Sequence, residues 1–374
     1  MAYRFIRDCE DVMNFARLVT AIQKFARPGR DETGNGLLPH EQMRRLLERE
    51  RARVFRTGES LSVVTFTPRG PEFDPVTAPL LTAILRDRLR TTDEVGHLDS
   101  RQIGVVLPAT PAAGAWKLAD DVCLEFPKDV PPPICAVYSY PLNEGAANGL
   151  YESGVNGSAA QAERNTLGLE LLFLQALPVW KRALDVGLAA VGLAASLPVL
   201  GTVAAAIKLA SPGPVFFRQQ RSGWGGRPFV IYKFRTMIVN AEARKAELRA
   251  LNEQDGPAFK VRQDPRITTI GRFLRCTSLD ELPQLWNILK GDMSLVGPRP
   301  LPIDETEACD GWHLQRLDVV PGLTGIWQVR GRSTVSFAEW VRMDLQYIRS
   351  RSLWQDLKLL VLTVPAVALR KGAH

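Results

Sequence analysis

From residue 186 to residue 207 the chain runs for 22 positions without a charged side chain (VGLAAVGLAASLPVLGTVAAAI), bounded by Asp185 and Lys208. As a helix rising 1.5 Å per residue it would extend ~33 Å, enough to cover the hydrocarbon core of a bilayer. Two features argue against a simple span. Pro198 stands near the centre, where proline removes a backbone hydrogen bond and bends a helix, and Ser196 can satisfy the groups set free. Basic residues also flank both ends, Lys181 and Arg182 before, Lys208, Arg218 and Arg221 after, whereas a spanning helix carries positive charge mainly on one side. A helix over about 183–208 that enters an apolar phase, breaks at Ser196 and Pro198 and returns to the same face fits both observations. A buried core helix rich in Ala and Gly is the competing reading. A second apolar run, 353–369, has Trp354 at its head and Arg370 and Lys371 at its tail. It reads as a helix over about 353–370 lying in a membrane interface, or as a buried terminal helix.

The rest of the chain is ordinary globular sequence. Its 374 residues, 45% hydrophobic and 23% charged, exclude wholesale disorder and a many-span transporter, and the length suits two domains. The five cysteines are scattered, with no CxxC pair, and there are four histidines. Neither a disulfide framework nor a zinc module is expected, and the composition fits a reducing compartment. The first ten residues mix charged and apolar side chains, so no secretory signal is expected there. The net charge of +7 is unevenly placed: 20 basic against 23 acidic residues up to Leu177, 27 against 17 from Pro178 onward. A basic half suits nucleic acid, anionic lipid or a phosphorylated substrate.

Periodicity divides the chain. The patterns predict helices over 42–56, 77–89 and 112–126 and strands over 61–67 (LSVVTFT) and 103–107 (IGVVL), an alternation that implies a small α/β domain over 1–141. Residues 142–177, rich in Gly, Ala, Asn and Ser up to Thr166, read as a linker. Residues 178–374 form the second domain.

That second domain is dense with groups suited to phosphate. Lys233 and Arg235 alternate after a short apolar strand, which aims both at one face of an extended segment. Arg275 precedes Cys-Thr-Ser-Leu-Asp-Glu, Arg299 lies between two prolines, and Arg330 and Arg332 close a Pro- and Gly-rich run. Guanidinium forks match phosphate oxygens, and Pro and Gly fix the backbone that aims them. The acidic pair Asp280-Glu281 is central. Pro283 is tolerated only in a helix's first turn, so a helix start is expected near Asp280, with Leu282, Leu285, Trp286 and Leu289 as its buried face. An ionised Asp there can act as a nucleophile on phosphorus or as a Mg²⁺ ligand. Ser278 and Glu281 also fit a capping box, so a purely structural role stays open.

Six blocks, in order, resemble the bacterial sugar transferases, the monotopic phosphoglycosyl transferases. They are Lys181-Arg-Ala-Leu-Asp185; Ser211-Pro-Gly-Pro-Val-Phe-Phe217 with Gln219; Lys233-Phe-Arg-Thr-Met237; Thr277-Ser-Leu-Asp-Glu-Leu-Pro-Gln-Leu-Trp-Asn287; Lys290-Gly-Asp-Met-Ser-Leu-Val-Gly-Pro-Arg-Pro300; and Pro321-Gly-Leu-Thr-Gly-Ile-Trp-Gln-Val-Arg-Gly-Arg332. The resemblance implies a small α/β catalytic domain on a re-entrant membrane helix, at the bacterial inner membrane and facing the cytoplasm. It implies that Asp280 takes a sugar phosphate from a UDP-sugar as a covalent intermediate and passes it to polyprenyl (undecaprenyl) phosphate, with Glu281 as partner acid or base. Mg²⁺ is the implied cofactor, with Asp280 as its ligand, and Lys233, Arg235, Arg275, Arg299 and Arg332 as phosphate-binding groups. The family often carries Ser-Pro at the helix break; here the order is Ser196-Leu197-Pro198. Nucleic acid is not an expected partner, because aromatic platforms do not interleave with the basic residues. An inactive membrane-anchored scaffold is the alternative, and a homodimer is left open.

The first domain is similar to a degenerate GGDEF (diguanylate cyclase) domain, through Asp31-Glu-Thr-Gly34, the LSVVTFT strand and the run from Val95 to Thr110. At the signature turn it reads Asp99-Ser-Arg-Gln-Ile103, without the family's glycines and metal-binding acids, so cyclase activity is not expected. Arg90-Thr-Thr-Asp93 stands five residues before that turn, the family's spacing for a cyclic di-GMP site. A salt bridge in a structural domain is the competing reading.

Overall fold

A computed structural model describes residues 36–70, 73, 75–141, 166–261, 263–330 and 335–368. Asp31, Arg332, Arg370 and Lys371 fall outside the described residues. The chain divides into two units, Met1–Leu172 and Phe173–His374.

The first unit is the expected α/β domain. Helix α1 (His40–Thr57) buries Met43, Leu47 and Val54 and stops at Gly58, whose φ of 70° is left-handed and whose N–H bonds the Val54 carbonyl. Strand β1 (Leu61–Thr67), helix α2 (Thr77–Arg88), strands β2 (Glu94–His97) and β3 (Ile103–Pro108), helix α3 (Ala112–Leu124), and strands β4 (Ile134–Tyr140) and β5 (Leu167–Gly168) follow. The sheet order is β2-β3-β1-β4-β5. LSVVTFT is its centre, antiparallel to both neighbours, with Val64 opposite Val105 on one side and Val137 on the other. A strand paired on both edges and covered on its faces reads as a continuous apolar run, as this one does. The core beneath α2 and α3 is Val64, Phe66, Leu81, Leu85, Val105, Ala115, Ala119, Val122 and Val137.

Two expectations change here. The end of the presumed linker is folded: Leu167–Gly168 pairs in parallel with β4 at Tyr138 and Ser139, and Leu169 is buried. Two residues are too short to show a period, and only the sheet edge recruits them. Arg90 and Asp93 do not form a side-chain pair. Asp93 is buried and holds its own turn, its Oδ2 accepting the Arg90 backbone N–H at 2.9 Å and its Oδ1 the Thr92 hydroxyl at 3.3 Å.

The second unit begins with α4 (Val179–Ala210), one helix of 32 residues through Pro198. Pro198 interrupts no turn of it. The Ser196 hydroxyl donates to the Leu193 carbonyl at 3.1 Å, and the Thr202 hydroxyl donates to the Pro198 carbonyl at 2.9 Å. Ala189 is buried toward one end and Val203 and Ile207 toward the other, while Val191 and Leu197 between them are 68% and 61% exposed. Only 11% of the most apolar stretch is buried among the described residues, far less than a core helix buries. Leu193 and Leu200 also pack on the core clusters of the unit, so α4 rests on it along one face and exposes the other.

The block opening α4 is a set of bolts. Lys181 donates to Asp356 Oδ2 at 2.5 Å and both are buried; Arg182 donates to the carbonyls of Ile288 and Leu289 at 2.6 and 2.7 Å; Asp185 accepts the Leu295 N–H at 2.9 Å. The remaining elements are a β6 (Phe216–Ser222)/β7 (Pro228–Phe234) hairpin, α5 (Thr269–Thr277), a 3₁₀ turn (Leu279–Glu281), α6 (Gln284–Lys290), β8 (Ser294–Val296), α7 (Ile303–Glu307), a 3₁₀ segment (Gly311–Asp318), β9 (Gly322–Thr324), α8 (Ile326–Arg330), α9 (Phe337–Ser350) and α10 (Leu353–Ala368). Strand β8 pairs in parallel with β9. In α10, Asp356 and Leu359 face inward while Trp354, Val361 and Val364 are 77%, 70% and 68% exposed. The terminal helix thus carries an exposed apolar face rather than a buried one.

Candidate active site

A cavity of about 1090 Å³ in the second unit is lined by Lys233, Arg235, Arg275, Asp280, Glu281 and Arg299. The local sequence brings them together. Helix α5 starts at Thr268, whose hydroxyl accepts the Gly271 N–H at 3.0 Å. Gly271 lies so close to the end of β7 that a Cβ would meet the Thr236 carbonyl oxygen at 1.9 Å, so glycine is required there. The same Thr236 accepts Arg275 Nε at 3.0 Å and sets the guanidinium.

Helix α5 ends at Ser278, a non-glycine residue at φ 55°, a conformation that costs about 1–2 kcal/mol. That reversal starts the 3₁₀ turn carrying Asp280 and Glu281. The helix expected from Asp280 begins instead at Gln284, after Pro283, and Ser278 makes no side-chain capping bond, so no capping box forms. A Pro that cannot continue a helix upstream also suits the residue just before one. Leu285 is buried and Leu282 and Leu289 pack on the core as expected, but Trp286 is 52% exposed.

The two acids have opposite surroundings. Glu281 Oε1 accepts Lys233 Nζ at 2.9 Å and the Arg299 guanidinium, whose Nη1 lies 3.4 Å from Oε2. Burial pushes the Glu281 carboxyl up, yet the charges and hydrogen bonds of Arg299 and Lys233 outweigh it and hold Glu281 far below the carboxylate range. Among the described residues nothing hydrogen-bonds or ion-pairs the Asp280 carboxylate. It is buried, and burial first, then the Glu281 charge, push it up to about 6 against Lys233, Arg275 and Arg299. The sequence argument favoured an anion through the helix dipole; a single 3₁₀ turn supplies little dipole, and desolvation prevails.

The cations divide in the same way. Arg299 and Lys233 are engaged by Glu281, and burial lowers Lys233 to about 8. Arg235 lines the cavity, but its guanidinium is bound to the carbonyls of Ser211 and Pro212 at 2.9 Å and to the Ser211 hydroxyl at 2.6 Å. It ties the end of β7 to the exit of α4 rather than standing free for an anion. Lys233 and Arg235 therefore do not act as one face. Among the described residues the two terminal nitrogens of Arg275 have no hydrogen-bond or ion-pair partner, which leaves it as an open fork of the cavity. Sequence reasoning missed Arg221, which lines the cavity and donates to the Pro300 carbonyl at 2.8 Å; no local pattern marks it, because its partner lies 79 positions away.

The cavity thus holds a buried carboxylate and an arginine fork that have no partner among the described residues, on a unit that also carries an exposed apolar helix face. Residues 176–370 match the bacterial sugar transferase family, and the chain belongs to it. It is 50% identical over 162 residues to the galactosyl transferase CpsE of Streptococcus agalactiae, covering 43% of this chain and 36% of that one. It is 44% identical over 213 residues to the UDP-glucose:undecaprenyl-phosphate glucose-1-phosphate transferase of Caulobacter vibrioides, covering 53% of this chain and 73% of that one. The chain thus spans about a third of the streptococcal relative. Among solved structures, a sensory box/GGDEF family protein from Caulobacter crescentus shares 20% identity, covers 30% of this chain and 83% of its own, and has a TM-score of 0.23. A likeness so low identifies nothing, and the GGDEF assignment of the first unit rests on its sequence resemblance.

Proposed function

We propose that the protein transfers a sugar 1-phosphate from a UDP-sugar to polyprenyl phosphate, the first step in building an exopolysaccharide or other glycoconjugate. The observation that carries this reading is the isolation of Asp280: a carboxylate with no partner among the described residues, sharing its cavity with Arg275, in a family of sugar transferases. The relative from Caulobacter vibrioides bears the name of such a reaction, with UDP-glucose and undecaprenyl phosphate. In the first half-reaction an Asp280 oxygen attacks the sugar-linked phosphorus, the bond from that phosphorus to the bridging oxygen breaks, and UMP leaves with the electron pair. In the second, an oxygen of polyprenyl phosphate attacks the same phosphorus and Asp280 is released. Each step moves negative charge among oxygens, so fixed cations aimed at the phosphorus supply the stabilisation.

Glu281 serves here as an anchor. Held as an anion by Lys233 and Arg299, it neither gives up nor takes a proton readily, and its work is to place those two cations beside Asp280. Arg275 is the phosphate clamp. Among the described residues no cluster of three or more His, Cys, Asp or Glu forms a ready metal site. Mg²⁺ needs only one or two carboxylates when substrate phosphates complete its shell, and the unpartnered Asp280 fits that. Bound there with the substrate, the ion would neutralise diphosphate charge.

The exposed apolar faces of α4 and α10 suit a monotopic seat in the bacterial inner membrane, the catalytic unit facing the cytoplasm. Arg90, exposed at the end of α2, is the group of the first unit left for a cyclic di-GMP phosphate. Calorimetry with cyclic di-GMP, on wild type and Arg90→Ala, tests that part separately; no heat with wild type removes it. For the enzyme, purified protein with UDP-glucose or UDP-galactose, undecaprenyl phosphate and Mg²⁺ is expected to release UMP, and Asp280→Asn to abolish release. Full activity of that variant would overturn the mechanism.

A further inference from the structure

Arg299 sits in Gly297-Pro-Arg-Pro300, where the flanking prolines carry no N–H with which the loop could bond itself. The four successive carbonyls from Pro298 to Leu301 are instead held from outside. The Pro298 carbonyl accepts the Gly322 N–H at 2.8 Å, the Leu301 carbonyl the Ser222 N–H at 3.0 Å, and the Pro300 carbonyl Arg221 Nη1 at 2.8 Å. The carbonyl of Arg299 itself accepts Arg316 Nη2 at 2.8 Å. Arg316 is 4% exposed, and the same nitrogen donates to Asp344 Oδ2 at 2.6 Å. The Asp344 carboxylate is 1% exposed, and the Arg316 guanidinium lies 4.9 Å from the centre of the Trp340 ring. A planar fork fixed on three sides can impose a position on the backbone it touches.

We propose that Arg316, locked by Asp344, is a positioning residue for the transfer reaction: it sets the Arg299 backbone, and through it the Arg299 to Glu281 pair that frames Asp280. The inference rests on the proposed function, since it concerns that site. Neither Arg316 nor Asp344 lines the catalytic cavity, so neither meets the substrate. Misplacing a catalytic group by about 1 Å costs on the order of 10²-fold in rate. Because Arg299 is engaged by Glu281 rather than left open, the loss falls on kcat, with KM for the UDP-sugar moving little.

The test is a double-mutant cycle on the full chain, read as steady-state UMP release. Arg316→Met is expected to lower kcat by about 10–100-fold, and Arg316→Lys to recover part of it, because an ammonium can still reach one of the two oxygens. In an Arg299→Met background, Arg316→Met is expected to cause almost no further loss, since the guanidinium whose placement it governs is already gone. Asp344→Asn, which keeps an acceptor for Arg316, is expected to fall between wild type and Arg316→Met. Thermal unfolding of each variant separates a folding failure from a catalytic one. Losses that multiply across the two sites, or a change in KM with kcat intact, would overturn the positioning role while leaving the enzyme assignment standing. If wild type releases no UMP, the enzyme assignment fails and the inference falls with it.

Discussion

Two adjacent carboxylates, Asp280 and Glu281, differ in every respect that matters for chemistry. Lys233 and Arg299 hold Glu281 as an anion; burial keeps Asp280 near 6. A nucleophile must be ionised, so UMP release is expected to rise with pH through about 6 and to fall away on the acid side. In Glu281→Gln the second cause of the Asp280 shift is removed and Lys233 and Arg299 are freed to act on Asp280. All of these changes lower its pKa, so the acid limb moves to lower pH while kcat drops. A pH–rate profile of both proteins checks the sign. Arg275→Ala is expected to raise KM for the UDP-sugar as well as lower kcat, because Arg275 meets substrate directly. The presence of these residues could be read from their motifs, but their division of labour could not. Arg235 and Lys233 share a strand pattern, and only the partners Ser211 and Glu281, 24 and 48 positions away, separate the clamp from the site.

At the scale of elements, α4 is held by the charged residues at its head as well as by the apolar stripe of Ala189, Val203 and Ile207. The Lys181 to Asp356 pair is buried, and Asp356 also accepts the Tyr347 hydroxyl at 2.8 Å. Removing one partner of a buried pair costs about 3–5 kcal/mol, because the other charge is left unpaired. Lys181→Met is therefore expected to unfold the second unit at a temperature well below wild type and to lose activity with it, and Lys181→Met combined with Asp356→Leu to recover part of the loss. Thermal unfolding in detergent measures both. Cysteines placed at Val179 and Leu209, 87% and 89% exposed at the two ends of α4, are expected to react with a membrane-impermeant maleimide from the same side; labelling from opposite sides would show a span. The length and Pro198 of this helix were plain from the residues, and so was the choice between core and membrane that they could not make. That choice depended on what covers Val191 and Leu197, and none of the described residues does.

For the whole molecule, the two units have separate cores, Val64, Phe66 and Leu85 in one, Ile288, Val296 and Tyr347 in the other. A chain cut to residues 173–374 is expected to keep UMP release, and Val64→Asp, which buries a charge in the first core, to leave basal release in the full chain unchanged; the UMP assay reads both. The basic excess of the second half, which admitted nucleic acid as readily as lipid or phosphate, acquires an address in a cavity built around Asp280. The three helices and two of the inner strands of the first unit, the apolar helix, the acidic pair and the arginines were determined by the sequence alone, because periodicity, charge and proline act within a few residues. Only the tertiary structure decided which carboxylate is free, which arginine is open and which merely holds a backbone. Those properties depend on burial and on partners drawn from positions far apart in the chain, and no local pattern records them.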